Sequence, residues 1–248
     1  MRLEGKSAIV TGAGSGFGEG IAKRFAEEGA TVIVADIDDA GGMRVADEIG
    51  ARARYVHTDV SIAEHVKGMV TAAREHFGGV DILVNNAGFP QRPGPMEEVA
   101  EDVFDRIFAV NVKSIYLAAR QVIPQFKARG GGVIINIAST GGVRPRPGLT
   151  WYNGSKGAVI ALTKAMAIEL AGEGIRVCAL NPVAGDTAML PEFMGGDTPK
   201  RRERIVESIP IGRLSQPRDI ANSALFLASD EADFLTGVCL EVDGGRCI

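Results

Sequence analysis

The chain has little of what a disulfide-stapled, metal-holding, membrane-spanning or nucleic-acid-binding protein needs. It carries only 3 cysteines and 3 histidines in 248 residues. Cys178, Cys239 and Cys247 stand at no metal-ligand spacing, and three cysteines cannot all pair within one chain, so free thiols are expected. His57, His65 and His76 are scattered without partners at ligand spacing, which predicts no metal site. No apolar run reaches the ~18–20 residues that cross a bilayer. Strand character begins within the first ten residues, so no leader peptide is read there. The expectation is a soluble, cytoplasmic protein with no membrane partner. A net charge of −4 gives no electrostatic footprint for nucleic acid. The one dense basic run, Lys200-Arg201-Arg202-Glu203-Arg204, reads as a solvated helix face. No linker, repeat or low-complexity tract divides the chain, so residues 1–248 read as a single domain.

What is present is apolar sequence and glycine. Hydrophobic residues make up 46%, enough for a sizeable core, and the 32 glycines suit a fold with many tight turns. Short apolar runs recur at residues 7–10, 31–35, 54–57, 82–84, 133–138, 176–180 and 238–242. Helical periodicity fills the gaps, near residues 18–29, 41–49, 63–77, 101–129, 153–171 and 217–229. This alternation predicts an α/β fold: a doubly wound parallel sheet of about seven strands with helices on both faces. Runs such as VIINIA are apolar almost throughout, as strands buried on both faces must be. In open sheets of this kind ligands bind beyond the carboxyl ends of the strands. Gly12, Asp36, Asp59, Asn85, Ser139 and Asn181 each stand at or just past such an end.

Two local patterns carry chemistry. Thr11-Gly12-Ala13-Gly14-Ser15-Gly16-Phe17-Gly18 follows the first strand and precedes a helical run containing Ile21, Ala22, Phe25 and Ala26. Glycines let a backbone turn tightly against a pyrophosphate, and the helix N-terminus offers free N–H groups to that anion. The spacing, G-x-x-x-G-x-G, differs from the G-x-G-x-x-G of many dinucleotide sites. The second pattern is Tyr152 and Lys156, one helical turn apart and so on one face. At an effective dielectric of ~20, unit charges about 4 Å apart interact by ~4 kcal/mol. On that reasoning the ammonium draws the tyrosine from ~10 toward ~7, at about 1.4 kcal/mol per pKa unit. A tyrosine titrating there is a general acid/base.

Together these residues resemble the short-chain dehydrogenase/reductase family, in its short single-domain branch. The motifs occur in order: TGAGSGFG at Thr11–Gly18, Asp59-Val60, Asn85-Asn86-Ala87-Gly88, Asn111, Ser139, Tyr152 with Lys156, then Asn181-Pro182. The resemblance covers nearly the whole chain. It implies a Rossmann-like sheet, a nicotinamide cofactor and a catalytic set of Asn111, Ser139, Tyr152 and Lys156. It places Gly12, Ser15, Gly16, Phe17, Gly18, Asp36, Ile37, Asp59, Val60, Asn86, Ala87, Gly88, Tyr152, Lys156, Pro182, Val183 and Thr187 around the cofactor. Val183 departs from the pattern, since glycine usually follows that proline. The region of Asn111 is expected to hold a water against Lys156, and residues 188–212 to form a substrate lid.

Asp36 ends the second strand, 18 residues after Gly18. A carboxylate there accepts from ribose hydroxyls and repels the 2′-phosphate of NADP, which predicts NAD as cofactor. Helix capping is the plain alternative, and Asp38 or Asp39 fills that role instead. The activity implied is hydride transfer between NAD and a small secondary alcohol or ketone. A 3-oxoacyl-carrier-protein reductase is the nearest rival; it needs a basic docking surface, for which Arg129 is a candidate. A halohydrin dehalogenase-like lyase would carry Arg in place of Lys156, and a non-catalytic NAD-sensing module would not need Ser139, Tyr152 and Lys156 together. Residues 141–151 join Ser139 to Tyr152 and must wall the site; Val143, Leu149 and Trp151 suit an apolar substrate, and Arg144 or Arg146 an anionic one. Ile115, Leu117, Ala158, Val159 and Leu162 permit a homotetramer or homodimer through the two long helices.

Overall fold

A computed structural model describes residues 1–248. Seven strands form one parallel sheet: β1 Ser7–Thr11, β2 Thr31–Asp36, β3 Ala53–His57, β4 Ile82–Asn85, β5 Gly132–Ile137, β6 Ile175–Pro182 and β7 Cys239–Val242. Their order is β3-β2-β1-β4-β5-β6-β7. Nine helices surround it: α1 Gly16–Glu27, α2 Asp39–Ile49, α3 Ala63–Phe77, α4 Glu101–Phe108, α5 Ser114–Arg129, α6 Thr150–Leu170, α7 Leu190–Met194, α8 Pro199–Glu207 and α9 Pro217–Ala228.

The strands are apolar throughout because each feeds two cores. Ala8, Val10, Val32 and Val34 pack against Ile21, Phe25 and Leu225 on the face of α1, α2 and α9. Ile9, Ile33 and Ala35 point the other way, to Met69, Val122 and Phe126 on the face of α3, α5 and α6. The period-two alternation is intact, but both faces are dry. Each such aliphatic side chain contributes ~1.5–3 kcal/mol on burial. A buried polar chain stitches the centre: Asn85 Nδ2 donates to Asn136 Oδ1 at 2.9 Å, and Asn136 Nδ2 to Thr163 Oγ1 at 2.9 Å.

One expectation is corrected. The single helix expected over residues 101–129 is broken by a π-helical stretch at Ala109–Lys113. The segment expected as a lid holds the two short helices α7 and α8, closed on a small apolar cluster of Val183, Leu190, Met194, Ile209 and Leu214. Of the five apolar residues named for a subunit contact, Ile115, Leu117 and Val159 are buried in the chain's own core. Ala158 and Leu162 remain partly exposed on α6, and the large apolar side chains most exposed on the two helices are Tyr116 and Ile168. No helix is long and apolar enough to cross a membrane.

Candidate active site

β1 is flanked by β2 on one side and β4 on the other, so the chain leaves the sheet in opposite directions at this point. The crevice beyond those strand ends opens into a cleft of about 320 Å³, within the range of small-molecule sites. Gly12 and Gly16 line it with φ of 61° and 57°, which side chains disfavour. A Cβ at Gly12 would stand 2.9 Å from the Cα of Ala87, so the turn is a cradle only glycine leaves open. Ser15 sits at the N-cap of α1 in extended geometry but makes no capping bond, leaving the first N–H groups of the helix to a ligand. Phe17 also lines the cleft.

The carboxylate of Asp36 lies at the floor of this turn. Its Oδ2 accepts from Gly14 N at 2.7 Å and its Oδ1 from Asp38 N at 2.9 Å. The capping role goes to Asp38, which accepts from Ala40 N at the start of α2. Ile37 lines the cleft beside Asp36. Arg44 reaches the Gly14 carbonyl, yet it is committed to Glu19 and Glu48. Asp59 lines the next strand end with Val60 and accepts from Ser61 and Arg106. Burial raises its pKa, but those bonds outweigh burial and hold it below the usual carboxylate range. Asn86, Ala87 and Gly88 close the wall. Asn86 Nδ2 donates to the Thr11 and Gly12 carbonyls, and Thr11 Oγ1 accepts from Asn86 N and Ala87 N, so this motif also ties β4 to β1.

Ser139, Tyr152 and Lys156 meet at the other end of the cleft. Ser139 caps a short turn, its hydroxyl accepting from Gly141 N at 3.0 Å. Tyr152 N donates to Gln91 Oε1 at 2.9 Å, fixing the start of α6. Lys156 Nζ donates to the Ile137 carbonyl at 2.8 Å and stands 5.8 Å from the centre of the Tyr152 ring. The electrostatics overturn the reading of a tyrosine brought to neutrality by its lysine. Burial pushes the Tyr152 phenol up from its ordinary value, while the neighbouring Ser139 hydroxyl and the Arg146 charge pull it down less strongly. Burial also lowers Lys156, to about 8. Desolvation is the leading cause for both groups, and neither residue is among the causes of the other's shift.

Three residues expected at the cofactor or catalytic set do not line the cleft: Gly18, Val183 and Asn111. Gly18 packs under the turn, where a Cβ would collide with the Gly12 carbonyl. Val183 turns its side chain into the α7–α8 cluster, which explains why a larger residue is accommodated there. Asn111 occupies the π stretch and is spent on structure: it accepts from Phe89 N at 2.7 Å and donates to the Phe89 carbonyl and Ser155 Oγ. A side chain at Gly88 would stand 3.6 Å from Asn111 Oδ1 and 3.7 Å from Lys156 Nζ, so Asn111 still borders the lysine.

Pro182 and Thr187 line the cleft as expected, the latter 3.3 Å from where a Cβ on Gly16 would lie. Phe193 of α7 was not legible in the sequence. Its ring meets Tyr152 edge-on, with centroids 4.8 Å apart, and it lines the cleft with Met189 and Leu190. The only signal for it was its place in the expected lid. Of the apolar wall residues, Trp151 turns away, donating to the Met96 carbonyl and meeting Phe104 edge-on, and exposed Val143 does not line the cleft.

The family model described as enoyl-(acyl carrier protein) reductase matches residues 12–246. The chain belongs to the short-chain dehydrogenase/reductase family. Among solved short-chain dehydrogenase/reductase structures, a 3-ketoacyl-(acyl-carrier-protein) reductase from Brucella melitensis, complexed with NADH, superposes with a TM-score of 0.95. It is 54% identical, over 99% of this chain and 100% of that one. A 4-formylbenzenesulfonate dehydrogenase of Comamonas testosteroni is 51% identical over the full length of both chains. A 2,5-dichloro-2,5-cyclohexadiene-1,4-diol dehydrogenase of Sphingobium indicum is 40% identical over 98% of this chain and 97% of its own. The chain is therefore an oxidoreductase of this family.

Proposed function

We propose that this oxidoreductase interconverts a secondary alcohol and a ketone with NAD, using Tyr152 as general acid/base. The observation that carries the reading is one cleft lined at one end by the Gly12–Gly16 cradle and Asp36, and at the other by Ser139, Tyr152 and Lys156. The residues present fit NAD: a glycine cradle at an uncapped helix N-terminus suits the pyrophosphate, and the Asp36 carboxylate suits ribose hydroxyls. The chemistry that NAD supplies when bound is hydride acceptance at its nicotinamide ring. The NADH of the Brucella relative and the diol named for the Sphingobium relative support the same class.

Each residue has a proposed task. Ser139 donates its hydroxyl proton to the substrate oxygen and steadies negative charge there. Tyr152 takes the alcohol proton in oxidation and returns it in reduction. Its raised pKa keeps the phenol protonated at neutral pH, which suits the donor role in reduction; in oxidation the phenol must first lose that proton before it accepts the alcohol's. Lys156 uses one N–H on the Ile137 carbonyl and keeps its others for the nicotinamide ribose. Asn111, bordering Lys156, holds the π stretch where a water links the lysine to solvent. Residues 188–212 act as the lid over Tyr152, and the protein assembles as a homodimer or homotetramer.

A 3-oxoacyl-carrier-protein reductase is the second reading, favoured by the Brucella relative. Against it, Arg129 is taken up by Asp81 at 2.8 Å and the Gly78 carbonyl, and Asp36 opposes NADP. The test is NADH or NADPH absorbance over a panel of secondary alcohols, ketones and a 3-oxoacyl thioester. NAD-linked turnover of simple alcohols is the expected result. Turnover of the thioester alone, with NADPH, would replace the first reading with the second.

A further inference from the structure

A smaller cavity of about 60 Å³ adjoins the cleft and shares Ser139, Tyr152 and Phe193 with it. Three arginines line it, Arg144, Arg146 and Arg246, and no carboxylate does. Arg144 is accounted for: it donates to the backbone carbonyl of Arg246 at 2.8 Å and to an oxygen of Ile248, the last residue, at 3.4 Å. Arg146 and Arg246 are both half-buried, and neither takes part in any ion pair of the chain. The acid nearest in sequence, Asp243, spends its carboxylate on Gly245 N at 2.9 Å and Cys247 N at 2.7 Å. Burial lowers the Arg146 pKa, and Arg246 pushes the same way, while only Tyr152 opposes them. Two guanidiniums that repel each other without an acid between them are costly unless something else supplies negative charge.

The surroundings hold Arg146 in place. Asn153, itself 8% exposed, donates through Nδ2 to the Arg146 carbonyl at 2.8 Å. Its Oδ1 is buried and has no hydrogen-bond partner, and the residue lines the same cavity. Gln91 Nε2 donates to the Gly148 carbonyl, pinning the far end of the loop. Leu149, Val183 and Phe193 give the cavity its apolar wall. We infer that Arg146, assisted by Arg246, receives an anionic group, carboxylate or sulfonate, carried by the substrate at the end remote from its reacting oxygen. Guanidinium matches such groups by paired, charge-assisted hydrogen bonds. This inference rests on the alcohol–ketone reading of the same site.

The test uses full-length enzyme saturated with NAD, in which a ketone binds without reacting. Calorimetric titration compares acetophenone, 4-acetylbenzoate and 4-acetylbenzenesulfonate. Wild-type protein is expected to bind at least one anionic ketone about tenfold or more tightly than acetophenone; the arm that gains identifies carboxylate or sulfonate. Arg146→Gln should reduce that ratio to about twofold or less, Arg246→Gln should reduce it in part, and Arg146→Lys should retain part of it. A wild-type ratio near one overturns the subsite, as does an unchanged ratio in Arg146→Gln. Should Arg146→Gln fail to fold, the wild-type ratio and Arg146→Lys decide the matter. An enzyme that oxidises no alcohol sinks the functional reading, whereas alcohol oxidation with no anion preference sinks the subsite alone.

Discussion

The ammonium of Lys156 is held by the Ile137 carbonyl at 2.8 Å, at the end of β5, and not by the phenol of Tyr152. The lysine is therefore anchored to the sheet and borders the tyrosine only through its ring, 5.8 Å away. Burial moves the two groups in opposite directions, so as pH rises the lysine gives up its proton before the tyrosine does.

That order gives a stability prediction with a definite sign. Lys156 titrates at about 8 when folded, below its ordinary 10.5. Below pH 8 both states hold the proton. Between about pH 8 and 10.5 the unfolded chain binds it and the folded chain does not, so stability rises with pH. Chemical denaturation of wild type and Lys156→Met at pH 7.5 and 9.5 isolates the effect. The wild type should gain on the order of 1–2 kcal/mol relative to the variant over that interval, at ~1.4 kcal/mol per unit. A constant difference would place the lysine pKa near its ordinary value. Above pH 10 the raised Tyr152 phenol works the other way, so the comparison stops short of it.

Asp36 should set the cofactor. Its carboxylate lies in the cleft beside the Gly14 amide, and Arg44 is taken up by Glu19 and Glu48. A charge-assisted bond to ribose is worth ~1.5–3 kcal/mol, and repulsion of a 2′-phosphate adds to it. NAD is expected to exceed NADP by at least ~100-fold in kcat/KM, since each ~1.4 kcal/mol is tenfold. Asp36→Ala should narrow that ratio from both ends. Equal use of the two cofactors by wild type would remove Asp36 from ribose recognition.

Gly18→Ala should damage the cofactor site without touching a cofactor. The added Cβ collides with the Gly12 carbonyl and crowds Asn86 Nδ2, which holds the turn to β4. NADH affinity is expected to fall at least ~10-fold, with a loss of ~1–3 kcal/mol in stability from overpacking. Fluorescence titration with NADH and thermal unfolding check both. Wild-type affinity would show that the turn tolerates displacement.

Most strand ends and the residues beyond them were legible, because apolar runs bounded by glycine and acid mark where a parallel strand stops. Asp36, Asp59 and Ser139 could be placed by that logic, whereas Asn86 and Thr187 came only with the family resemblance. The π stretch at Asn111 was not, since apolar spacing over residues 101–129 stays helical while the extra residue in the turn answers to Phe89, far away in sequence. Val183 reads as a cofactor residue from its neighbours, but the direction of its side chain is decided by the α7–α8 cluster. The Tyr152 phenol departs from the spacing argument for the same reason. One-turn spacing gives a distance to Lys156, whereas desolvation depends on the whole surrounding fold, including Phe193.

The account stands most directly on Tyr152→Phe, assayed by NADH formation from a secondary alcohol such as 1-phenylethanol alongside NADH binding. Removing the hydroxyl alone should lower turnover by at least ~10³, within the ~10²–10⁴ range of a lost proton-transfer group, and leave NADH affinity within a few-fold. Turnover within tenfold of wild type, with binding intact, would contradict the assignment of Tyr152 as the acid/base.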